Sequence, residues 1–142
     1  MLIHLPKITL DNDDVGMLVS WDMVTATKQV IIGPKTGYPY PPDGHISALV
    51  FKHPGWVVVS TISGNLTGKQ GLLDQEVLLA NTNDGKVCRI GRHRTWGKAG
   101  PQGYWGEADA TPSPSGTRVA FASDWGGGQT VDTYVIELPG YK

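Results

Sequence analysis

The chain has 142 residues, of which 39% are hydrophobic and 18% charged, and this composition indicates one folded domain rather than a disordered chain. The net charge is −1 and no run of Lys or Arg makes a phosphate-binding face, which argues against nucleic acid as a partner. The single cysteine, Cys88, excludes an internal disulfide and a cysteine-based zinc cluster.

Short strands joined by turns are predicted along the whole chain. The 19 glycines and 10 prolines cluster between apolar runs, and no window keeps an unbroken helical period. In chain order the predicted strands are residues 3–10, 16–23, 27–32, 46–51, 56–62, 76–81, 86–90, 108–112, 118–123 and 130–138. The sequence therefore predicts an all-β protein with more than about 40% strand and almost no helix.

An internal repeat relates these strands over roughly sixty residues. The run HPGWVVVST aligns with SGTRVAFASD, and EVLLANTNDGKVCRIG aligns with DTYVIELPGYK. A third copy of that hairpin, MLVSWDMVTATKQVIIG, lies upstream. A repeat of about four strands is typical of a β-propeller blade. We predict one β domain over 1–142, with a partial blade at 1–33, a blade at 44–91 and a partial blade at 106–142. The alternative is a β-sandwich.

One segment carries a family resemblance. ATPSPSGTRVAFASDWGGG, followed by VDTYVIEL, resembles the WD40-like repeat of TolB-type propellers, with Ser115 where that repeat has Asp in its Ser-Pro-Asp-Gly turn. DGHISALVFKHPGWVVVST resembles a second, more divergent copy. The resemblance implies a partial propeller of two to three blades. Because such blades serve enzymes and binding scaffolds alike, it implies no particular activity.

Polar residues at the predicted strand starts are the first candidate site. In a propeller the first strand of each blade lines the central channel, and His45 and Asp109 occupy nearly equivalent places there. His93 and Arg94 lie in the loop that enters the third blade, and Glu107 is two residues before Asp109. Converging imidazole and carboxylate groups hold a divalent metal or act as acid and base, so His45, His93 and Asp109 are the candidate metal ligands. The alternative for His45 is a turn residue whose imidazole caps its own loop.

The weaker similarity to oligogalacturonate lyase-like propellers implies a histidine-rich metal site at such strand starts. Glu107-Ala108-Asp109 stands where a Glu-x-His arrangement would fit that family better.

Loop aromatics are the second candidate site. Trp96, Tyr104 and Trp105 share a Gly-rich loop with Arg94 and form a plausible carbohydrate platform, because aromatic rings stack on sugar faces. Alternatively, these rings cover the edge between blades.

Three functions follow from these features. The first is a carbohydrate-binding module, the second a fragment or relative of a metal-dependent polysaccharide lyase or hydrolase, and the third a self-assembling structural domain. No cofactor other than a divalent metal is expected, and no sequence motif is diagnostic of catalysis.

Assembly and location are also predicted. Open blade faces predict a homo-oligomer, dimer or trimer, whose interface uses residues near both termini. No stretch is long enough to span a membrane, and the start lacks the apolar core of a signal peptide, so a soluble protein without a membrane partner is expected.

Overall fold

The computed structural model describes residues 17–38, 43–48, 52–62, 71–96 and 106–139. About 49% of the described residues form strands and none form an α-helix, which confirms the all-β class. No helix in these ranges is long and apolar enough to cross a membrane. The strand predicted at 3–10 lies outside the described residues.

Within the described part of the chain, nine strands form three antiparallel sheets. The strands are β1 (Leu18–Asp22), β2 (Thr27–Ile32), β3 (Asp43–Ser47), β4 (Trp56–Ile62), β5 (Glu76–Asn81), β6 (Val87–Arg92), β7 (Thr111–Pro112), β8 (Arg118–Ser123) and β9 (Asp132–Glu137). β1 pairs with β2, β3 to β6 make a central sheet, and β7 to β9 make a third sheet. Neighbours in every sheet follow chain order, so each sheet is a meander and none is closed.

Tight turns between strands set the pairing. In the β5–β6 hairpin, Gly85 adopts φ +73° and donates its N–H to the carbonyl of Asn81 at 2.9 Å. Gly55 precedes β4 with φ +89°, and a Cβ at this position would lie 2.2 Å from Nδ2 of Asn83. A side chain at Gly55 is therefore disfavoured by the backbone conformation and would displace the side-chain amide of Asn83.

The central sheet is covered on both faces. On one face it packs against the β1–β2 hairpin through a buried cluster of Leu18, Ile31, Ile32, Val57, Val59, Leu73, Leu78 and Ala80. On the other face it packs against the third sheet through Val58, Val77, Leu79, Ala108, Ala110, Val119 and Phe121. Alternate residues of β4 and β5 thus enter opposite cores, which explains why both strands are continuous apolar runs rather than alternating ones.

The limits of β1, β6 and β9 differ from the predicted 16–23, 86–90 and 130–138 by one or two residues, and two other strands differ more. The strand predicted at 46–51 begins earlier, because β3 pairs Asp43 with Ile62 and ends at Ser47. Asp43-Gly44-His45 has a low strand propensity of its own, and it forms a strand because it pairs with the apolar strand β4. The strand predicted at 108–112 is only Thr111–Pro112. Asp109 has φ +40°, which no regular strand accommodates, so the preceding segment cannot join the ladder.

Candidate polar site between the central and third sheets

Strands β3 and β7, the first strands of the central and third sheets, lie side by side. The hydroxyl oxygens of Ser47 and Thr111 are 3.1 Å apart across this junction. His45 projects from β3, and Glu107 and Asp109 lie in the segment that leads into β7. The structure therefore brings His45 to Glu107 and Asp109, two residues of the same candidate site that lie more than sixty positions later in the sequence.

The segment that carries the two carboxylates is anchored on both sides. Ala108 and Ala110 are buried in the core between the sheets. The carbonyl of Ala108 accepts the N–H of Ala122 at 2.8 Å, and the N–H of Ala110 donates to Oγ of Ser60 at 3.2 Å. Because the alanines face the core, the intervening Asp109 and the preceding Glu107 are free to reach His45.

His45 lies between the two carboxylates and is hydrogen-bonded to Glu107. Its Nε2 lies 2.7 Å from Oε2 of Glu107, and its Nδ1 lies 3.1 Å from Oδ1 of Asp109. The side chains of His45 and Asp109 are 40% and 65% exposed, so a ligand can reach them from solvent. The alternative that His45 caps its own loop is wrong, because both imidazole nitrogens face the segment before β7.

The cluster of His45, Glu107 and Asp109 combines hydrogen-bond acceptors, a hydrogen-bond donor and atoms that can bind a metal ion. One ligating atom from each of His45, Glu107 and Asp109 lies within 4.8 Å of the others. Asp109 holds this position with φ +40°, a conformation that costs free energy for a residue with a side chain. Such strain persists where the surrounding structure over-determines it, and here the two anchored alanines supply that constraint.

His93 does not lie with His45 and Asp109. The prediction that these three residues bind one metal ion together is therefore wrong. Its side chain is 1% exposed. Nδ1 accepts the N–H of Thr95 at 3.2 Å, so Nε2 carries the proton and donates to the carbonyl of Thr61 at 2.8 Å. Both ring nitrogens are thereby used inside the protein, at the end of β6.

A buried polar network continues from His93 toward the third sheet. The hydroxyl of Thr95 donates to the carbonyl of Gly106 and lies 3.3 Å from Oδ1 of Asp124. The same carboxylate oxygen accepts the N–H of Trp96 at 2.7 Å and of Gly127 at 3.2 Å. Asp124 therefore ties the end of β6 to the turn that follows β8.

Burial lowers the pKa of His93, although its bond to Thr61 and the nearby charge of Asp124 act in the opposite direction. The folded state thus binds fewer protons than the unfolded state, in which the imidazole titrates at about pH 6.5. The stability contributed by neutral His93 is present above that pH and is lost as the pH falls below it.

We expect the urea concentration at the midpoint of unfolding to drop between about pH 7.5 and 5.5, and to drop less in His93→Gln. Equal slopes in the two proteins would contradict this assignment.

The second candidate site is only partly described. Trp96 is half-buried and its backbone is held by Asp124. Arg94 is exposed, and its guanidinium carbon lies 5.3 Å from the ring centroid of Trp125. Tyr104 and Trp105 lie outside the described residues, so a platform made of all four is untested.

Trp125 is a surface residue that the sequence analysis missed. It is 50% exposed and stacks on Tyr134 with ring centroids 4.7 Å apart. The signal available in the sequence was a tryptophan directly before Gly126-Gly127-Gly128, at the end of an apolar strand. A glycine triplet leaves an adjacent aromatic ring uncovered, because it supplies no side chains to pack against it.

Comparisons with known proteins identify no family for this chain. No protein-family model matches it, no curated protein matches it, and no solved structure matches it. The function therefore has to be argued from the geometry of the chain itself.

Proposed function

We propose that this protein is a carbohydrate-binding module in which His45, Glu107 and Asp109 hold the hydroxyl groups of the ligand. The observation that carries the proposal is the exposed junction of one imidazole and two carboxylates, at 2.7 and 3.1 Å, between neighbouring sheets. A sugar hydroxyl both donates and accepts, and charged carboxylates form stronger hydrogen bonds to it than neutral groups do.

We also propose that the three sheets are successive blades of a partial propeller related to the TolB type. Support comes from the meander order within the central and third sheets and from the adjacency of their first strands. The turn at Ser113–Gly116 adds to this, since Gly116 has φ +72° and bonds back to the carbonyl of Ser113 at 2.8 Å. A β-sandwich is the alternative arrangement.

The binding site is tested by screening the protein on an array of neutral and acidic oligosaccharides and measuring the best ligand by calorimetry. We expect Asp109→Asn and Glu107→Gln to weaken binding about tenfold each, because each loses a charged hydrogen bond. Asn tolerates a positive φ better than most residues, so Asp109→Asn keeps the backbone in place.

Glu137→Gln is the matched control. Glu137 is the last residue of β9, is 72% exposed and pairs with Arg118 at the beginning of β8. This pair lies at the opposite end of the third sheet from the segment that leads into β7. The control should bind like the unmodified protein. A ligand bound with equal affinity by all three variants would place the carbohydrate site elsewhere, and an array without any bound glycan would remove the proposal.

A divalent cation at the same cluster is the second candidate, and it is the one that a metal-dependent lyase or hydrolase requires. It is favoured by the three ligating atoms within 4.8 Å of one another. A cation on one imidazole nitrogen would displace the carboxylate hydrogen-bonded there, while the other carboxylate would orient the ring. Calorimetric titration with Mn²⁺ and Zn²⁺ separates the candidates, because carbohydrate binding that survives excess EDTA does not need the cation.

Self-assembly into a dimer or trimer stays a prediction, which light scattering at micromolar concentration decides.

A further inference from the structure

The four arginines of the chain differ in their partners. Three of them have a glutamate carboxylate within 4.0 Å: Arg89 and Arg92 share Glu76, and Arg118 pairs with Glu137. Within the described ranges Arg94 has no such carboxylate, although its side chain is exposed. Its guanidinium contacts an aromatic ring instead.

That ring belongs to a stack of aromatic side chains on the third sheet. Phe121 and Tyr134 have centroids 5.7 Å apart, Tyr134 and Trp125 4.7 Å, and the guanidinium carbon of Arg94 lies 5.3 Å from the Trp125 centroid. Tryptophan is the strongest cation–π partner of the three aromatic residues. Contact with the ring restricts a side chain that otherwise samples many rotamers, so the guanidinium of Arg94 is held beside Trp125.

The backbone directs both members of this contact outward. Arg94 has φ +55° and Trp125 has φ +46°, a conformation that is uncommon for residues with side chains. Each follows a buried residue of the polar network, since His93 is 1% and Asp124 2% exposed. Two strained residues from separate segments therefore meet in one exposed pair, and strain of this kind clusters at functional sites.

We propose that Arg94, held over the ring of Trp125, is a binding site for the oxyanion of a ligand, either a carboxylate or a phosphate. The N–H groups of the guanidinium fork match the two oxygens of either anion, and no carboxylate of the described residues lies within 4.0 Å of Arg94 to occupy them. The exposed half of Trp125 provides an apolar surface beside that fork for the body of the ligand. This site does not depend on the carbohydrate proposal, because it uses none of the residues of the polar cluster.

The test uses three small probes of the same ring size: benzoate, phenyl phosphate and neutral benzyl alcohol. Binding is followed by the NMR shift of the Trp125 indole N–H, which is assigned from its loss in Trp125→Phe. We expect at least one anionic probe to bind about tenfold more tightly than benzyl alcohol, because only the anions accept the charged hydrogen bonds. The probe that binds more tightly, benzoate or phenyl phosphate, shows whether the site prefers a carboxylate or a phosphate.

Variants at the arginine complete the test. Arg94→Ala should lose the preference for anions, and Arg94→Lys should lose most of it, since lysine keeps the charge but not the fork. Arg118→Ala removes an exposed arginine elsewhere and should leave it unchanged. Equal affinity for benzoate, phenyl phosphate and benzyl alcohol, absence of binding by both anions, or full anion preference in Arg94→Ala would overturn the proposal.

Discussion

Leu78→Ala is expected to lower the free energy of unfolding by about 2–5 kcal/mol. Leu78 lies on β5, is 0% exposed, and belongs to the core between the central sheet and the β1–β2 hairpin. Its truncation removes apolar contacts from both layers and leaves a cavity that the paired strands cannot collapse around. Urea denaturation followed by circular dichroism measures the loss.

Leu72→Ala is the control for this prediction. Leu72 is 39% exposed in the turn before β5, so its truncation should change stability by no more than about 0.5 kcal/mol. If the two leucine variants unfold at the same urea concentration, the hairpin does not cover that face of the central sheet in solution.

Asp124→Ala is expected to lower the free energy of unfolding by about 2–4 kcal/mol, since two half-buried N–H donors lose their acceptor and a buried donor without a partner costs about 1–3 kcal/mol. The carboxylate of Asp124 is 2% exposed and accepts the N–H groups of Trp96 and Gly127. Its removal should also release the end of β6 from the turn after β8. Hydrogen exchange at the Trp96 amide should therefore accelerate more than exchange at amides within β4.

Asp22→Ala is the matched control, because Asp22 also accepts two backbone N–H groups within a turn. Those donors, on Val24 and Thr25 at 2.8 and 3.1 Å, are exposed and can bond to water instead. The expected loss is about 1 kcal/mol or less. A loss as large as that of Asp124→Ala would show that burial is not what makes Asp124 important.

Much of the strand pattern could be predicted from the sequence. The predicted limits of β2, β4, β5 and β8 agree with the structure. These strands are bounded by glycine, proline or Asx-containing turns, and they contain enough β-branched or apolar residues to be read locally. The limits of β1, β6 and β9 were wrong by one or two residues. The errors were larger at β3 and β7, where the strand depends on its pairing partner and on backbone conformation rather than on its own residues.

The sequence by itself therefore determined the all-β class and the succession of short strands and turns, since turn chemistry and apolar runs act over a few neighbouring positions. It singled out His45, Glu107 and Asp109 by type and by place in a repeat. Only the tertiary structure decided that His45 lies between these carboxylates while His93 is buried in another network. Packing of one sheet on the next sets those distances, and it also brings Arg94 onto Trp125, thirty-one positions later in the chain. Contacts between layers depend on register and on backbone strain, such as the φ of +40° at Asp109, which local sequence patterns do not encode.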